Sequence, residues 1–81
     1  MKLVLIEWLD SYGCSQTWAP LDGGQPKVLK CRSVGWLLHD KKKFKTVVPH
    51  LGGGRAGIEL QGCGDITIPT RAIVKITKLR G

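Results

Sequence analysis

The sequence predicts a small all-β domain. Three observations carry that reading: β-branched and aromatic residues gather in short runs, glycine, proline, serine and aspartate separate those runs, and no 3.6-residue apolar repeat persists beyond one turn. Eighty-one residues make a single domain, 1–81, at a size where one core yields only a few kcal/mol of net stability.

Residues 2–9 form the first expected strand, with Val4, Ile6 and Trp8 on one face and Leu3, Leu5 and Leu9 on the other, a pattern suited to burial on both sides. The loop that follows, SYGCSQTWAPLDGGQP, is long for a connection inside a compact domain, and such loops are usually functional or ordered by their own side chains. Residues 27–40 read as a second, longer strand, and Gly35 inside it marks a bulge, a bend or the close approach of another backbone or a ligand.

A lysine-bearing tip at 40–45 turns the chain into a third strand at 46–50, which Pro49 restricts to a sheet edge or a strand end. LGGGRAG is a turn, 58–61 a fourth short strand and GCGD a further turn. A tight 3₁₀ turn across 69–72 then precedes a fifth strand through Val74, Ile76 and Leu79. Five strands, a long loop after the first and a helical turn before the last describe a small five-stranded SH3-like barrel. An OB-fold is the alternative, but it wants a helix between its third and fourth strands, which the glycine-rich 51–57 cannot form. So small a barrel leaves strand edges unpaired, so a homo-oligomer is expected.

Thirteen Lys and Arg against six Asp and Glu give a formal charge of +7, which favours an anionic partner. Cys14, Cys31 and Cys63 are odd in number and lack a CxxC, so neither a disulfide framework nor a zinc ribbon is expected, and a reducing cytosol fits best. Glu7 and Asp10 interrupt the opening apolar run before a signal-peptide core is complete, and no stretch is long enough to span a bilayer. Neither a membrane partner nor a cofactor is expected.

Several groups are candidates for chemistry. Lys41, Lys42, Lys43 and Lys45 either keep the hairpin tip solvated or attract phosphates without reading their identity. Arg55 in GGGRAG stands where backbone N–H groups can converge on an anion, yet no GxxxxGK[ST] is present and no helix follows. Trp8 and Trp36 belong with core aliphatics, whereas the loop Trp18 is the better candidate for stacking on a base. Arg32 is a phosphate contact, and Ser11, Ser33 and His50 are hydrogen-bonding candidates; Ser33 needs a partner if buried. A metal site from Cys14, Cys31, Cys63 and His50, or a Cys–His nucleophile, would require the fold to gather them, and no catalytic motif stands out, so an enzyme is not expected.

WLDS at 8–11, Trp18, CRSVGWLLHD at 31–40, VVPH at 47–50 and GCGDITIPTRAI at 62–73 together resemble small bacteriophage-encoded β proteins, a likeness that covers most of the chain. The resemblance implies a phage source, the cytoplasm of an infected bacterium and a compact β fold, but brings no assigned role or site residues. By size and charge the chain is also similar to phage counter-defence sponges, small oligomers that sequester cyclic nucleotide immune signals. The expectation is therefore a non-enzymatic binder of an anionic nucleotide, with Ser11, Trp18, Arg32, Ser33, His50 and Arg55 as ligand contacts. The alternative is a module that binds RNA, DNA or a host protein through its basic surface.

Overall fold

A computed structural model describes residues 1–11, 18, 20–21 and 27–80. The chain is all-β. Strands β1 (Leu3–Ser11), β2 (Val28–Asp40), β3 (Phe44–Val48), β4 (His50–Gly52), β5 (Gln61–Cys63), β6 (Ile66–Pro69) and β7 (Ile73–Lys78) occur with one 3₁₀ turn, η1 (Thr70–Ala72), and there is no α-helix among the described residues. Five strands form one antiparallel sheet in the order β6-β3-β2-β1-β7, and β4 and β5 make a separate hairpin. Most of the loop after β1, Cys14 included, lies outside the described residues.

Register decides which residues share a face. Val4 pairs with Gly35, Ile6 with Ser33 and Trp8 with Cys31, so these six point to one side of β1–β2. That side carries the core: Val4, Ile6, Val47 and Ile68 are buried together, and Trp8, Leu37, Ala72 and Ile73 pack against them. The opposite side carries Leu3 with Trp36, Leu5 with Val34, Glu7 with Arg32 and Leu9 with Lys30. It is not buried to match, since Val34 remains 52% exposed. The first strand therefore has one fully buried face, not two: on the other, Leu3, Leu5 and Trp36 are half-buried, and β5 comes over this face at Val48, where a Cβ on Gly62 would stand 2.8 Å from Val48 Cγ2.

The sheet is not closed into a barrel. Among the described residues β6 pairs only with β3, and β7 only with β1. The reason is local. Pro69 has no N–H to extend a ladder, and η1 carries the chain from one edge strand to the other, so a turn bridges the gap where hydrogen-bonded strands would close it.

The five sheet strands also differ from those expected. Residues 58–60 are irregular because Ile58 is used in the glycine turn: its N–H donates to the Arg55 carbonyl and its own carbonyl accepts from the Gly54 N–H. Gly53, Gly54 and Gly57 hold positive φ there, a conformation open to glycine at little steric cost. The sheet's remaining strand is instead β6, whose alternating Ile66-Thr67-Ile68 places Ile68 in the core at 1% exposure. The third strand begins earlier than expected, at Phe44, and stops before Pro49, while His50 opens β4.

Gly35 is a site of close backbone approach. A Cβ there would stand 2.8 Å from the Val48 carbonyl oxygen and 3.3 Å from the Pro49 nitrogen, so the exit of β3 crosses over this position. The bulge in the β2–β3 ladder lies a little further on, between Leu37 and His39.

Candidate functional site

A hollow of about 360 Å³ lies over β1 and β2, lined by Glu7, Trp8, Leu9, Lys30, Cys31 and Arg32, with Val74 of β7 beside them. Alternation explains its construction. Residues 7, 9, 30 and 32 share the outer face, while Trp8 and Cys31 between them point to the core side, so four side chains stand around a floor of strand backbone. Val74 reaches the site because the β1–β7 register slips between Glu7 and Trp8; it is 66% exposed.

Charge in this hollow is mixed. Glu7 faces Arg32 across β2 and Lys75 across β7, with Lys30 one pair further along, yet Glu7 makes no ion pair among the described residues. Three cations around one carboxylate leave a positive surplus, and Leu9 and Val74 supply apolar walls. Such a set can receive an anion on Arg32 and Lys30, a hydroxyl or amino group on Glu7, and a flat apolar surface against the aliphatic side chains.

The expected contact residues are not gathered here. Of the six, only Arg32 lines the hollow. Ser33 lies on the core side, where its Oγ accepts a hydrogen bond from the Trp8 indole Nε1–H at 3.0 Å. Its partner is thus another side chain of the fold. Ser11 ends β1 opposite Val28, its N–H donating to Asp10 Oδ1 at 2.7 Å. Arg55 is exposed in the glycine turn, and His50 is exposed in β4 directly opposite Cys63 of β5. Trp18 is fully exposed.

His50 and Cys63 are the nearest approach to the Cys–His pair considered from sequence, but no group of three metal-ligating side chains forms among the described residues. Cys31 and Cys63 are free thiols.

The lysine tip divides into two parts. Lys45 is structural: its Nζ bonds Asp40 Oδ1 and, at 2.8 Å, the Lys41 carbonyl. This pairing holds the Asp40 carboxyl below its ordinary pKa of 3.8, first through the Lys45 hydrogen bond and then through the charge of Lys45. Lys41, Lys42 and Lys43 are exposed, and the Lys43 carbonyl accepts from the Thr70 N–H at 2.9 Å, which docks the tip on η1 beside Arg71.

Glu7, Leu9, Lys30 and Val74 were missed from sequence. Lys30 and Arg32 two apart on a strand were the available signal, but only the β1–β2 register shows that Glu7 and Leu9 stand beside them. No family model matches this chain, and neither does any curated protein or solved structure. No helix among the described residues is long and apolar enough to cross a membrane.

Proposed function

We propose that this chain is a non-enzymatic binder of an anionic nucleotide. The observation that supports the reading is the outer-face hollow, whose size falls in the range of about 300 to 1,000 Å³ used for small ligands and whose walls combine Arg32 and Lys30 with Glu7, Leu9 and Val74. Arg32 offers a forked contact to phosphate, Lys30 a point charge, and Glu7 an acceptor for a ribose hydroxyl or base amino group. Within this reading the role is sequestration of a cyclic nucleotide signal in an infected bacterium, as the likeness in size and charge to phage counter-defence sponges suggests. The sheet order, a β1–β2–β3 meander flanked by β6 and β7, with a 3₁₀ turn before the last strand, supports an open, SH3-like variant of the fold.

Calorimetry with a panel of cyclic di- and trinucleotides tests the proposal. Binding that weakens in Arg32→Ala and Lys30→Ala is expected; absence of heat and of thermal stabilisation across the panel refutes it.

A second reading, binding of a nucleic-acid polymer, is favoured by one separate observation: the exposed Lys41, Lys42 and Lys43 and the adjacent Arg71 form a basic end to the molecule. A steep log-linear loss of affinity with salt distinguishes it.

A further inference from the structure

We propose that the outer face of β1 and β2, apolar at Leu3, Leu5, Val34 and Trp36, packs against the same face of a second copy of this chain. Cross-strand pairing makes these four residues one patch: Leu3 lies opposite Trp36, and Leu5 opposite Val34. None of them belongs to the core cluster or packs against it, because Val4 and Ile6 alternate to the other side.

Two observations select a second copy as the occupant. The first is the size of the core. Among the described residues the buried hydrophobic side chains are Val4, Ile6, Val47, Val48 and Ile68, and neither Cys31 nor Cys63 is in a disulfide. A domain this small with so little burial requires a further source of stability. That need exists whenever the chain is folded, so the cover has to be a molecule always present with it.

The second observation is charge. Beside the apolar patch runs the row Lys75–Glu7–Arg32, cation, anion, cation. Such a row is self-complementary under a two-fold axis, because the carboxylate of either copy can meet a cation of the other. A face built only to receive an acidic partner would have no use for Glu7 between its cations. The hollow adjoins this contact and shares Glu7 and Arg32 with it, and Lys30 is the hollow cation outside the row. Glu7 and Arg32 belong to both surfaces, but the apolar patch calls for a cover whether or not a nucleotide binds in the hollow.

Each copy carries +7, so long-range repulsion opposes association over a Debye length of about 8 Å at physiological salt. Dimerisation should therefore tighten, or hold, as salt rises.

Sedimentation equilibrium of the full chain over a dilution series, at low and physiological salt, is the test. The wild type is expected at twice 8.9 kDa. Val34→Glu, at a position half exposed in the single chain, should keep its β-sheet circular dichroism and raise the dissociation constant about a hundredfold or more. Ile58→Glu, exposed in the glycine-turn segment away from the sheet, should remain dimeric. Glu7→Lys should dissociate the dimer while keeping its β-sheet circular dichroism, and the added Lys75→Glu should restore the dimer; the retained dichroism separates this from repair of the Glu7–Lys75 pair within one chain. A wild type that stays monomeric throughout, a Val34→Glu variant as dimeric as the wild type, or no rescue by the charge swap overturns the proposal. Any of these results leaves the nucleotide titrations to be judged on their own.

Discussion

Trp8 and Ser33 show how one hydrogen bond assigns two residues to the fold. The indole N–H is half-buried, and Ser33 Oγ is its acceptor at 3.0 Å. Ser33→Ala leaves that donor without a partner and is expected to cost about 1–3 kcal/mol, whereas Trp8→Phe, which removes donor and polar character together, loses about 1 kcal/mol for the bond, with any loss of ring packing added. Urea denaturation of both single variants and the double checks this: the double should be less destabilised than the sum, since the two groups share one interaction. Gly35 gives a sharper case. Ala at this position would place its methyl 2.8 Å from the Val48 carbonyl oxygen, where backbone has to move, so Gly35→Ala should destabilise by about 1–3 kcal/mol in the same measurement. Gly62→Ala meets the Val48 Cγ2 side-chain atom at the same distance and should cost less, because a side chain can yield where a backbone carbonyl cannot.

The β2–β3 hairpin is an element whose tip combines a structural lysine with freely solvated ones. Lys45 ties Asp40 and the Lys41 carbonyl, and the tip docks on η1 through Lys43 and Thr70. Asp40 has a folded pKa below 3.8, so its contribution to stability is present above the unfolded value and is lost as pH falls through the folded one. Carboxyl chemical shifts followed by NMR should give Asp40 a midpoint below 3.8, and Lys45→Met should move that midpoint upward. A midpoint unchanged by Lys45→Met would show that the pair does not form in solution.

At the scale of the molecule, two groups of cations are set apart among the described residues: Arg32 and Lys30 in the outer-face hollow, and Lys41, Lys42, Lys43 and Arg71 at the basic end. They make separable predictions. Replacing Lys41, Lys42 and Lys43 by Ser, with Lys45 left to hold Asp40, should reduce the log–log salt slope for a polynucleotide by roughly 2 to 3, at about 0.7 to 0.9 per phosphate contact. The same variant should keep its affinity for a cyclic nucleotide in the hollow. Equal losses for both ligands would place the nucleotide at the tip. Fluorescence anisotropy with labelled single-stranded DNA, alongside calorimetry with the nucleotide, reads both quantities.

Local pattern made much of this architecture legible. Alternation in LVLIEW marked β1, the long run to Asp40 marked β2, the 3₁₀ turn before the last strand followed from the proline in IPTRAI, and Gly35 announced a close approach. These features depend on neighbours along the chain, where steric preference and side-chain periodicity act directly. The same local reasoning failed at 58–60, where a turn captured the backbone of Ile58, and at Ile66–Pro69, where a terminal proline concealed a strand. The site was least legible of all. That Arg32 stands beside Glu7 while Ser33 is claimed by Trp8 follows from register between strands over twenty residues apart, and a slip of one residue would exchange the two faces. The amino-acid order by itself therefore determined an all-β chain with a positive surplus. Only the tertiary structure decided that its sheet stays open, which face is buried and which cations meet, because long-range pairing sets those relations and no local preference encodes it.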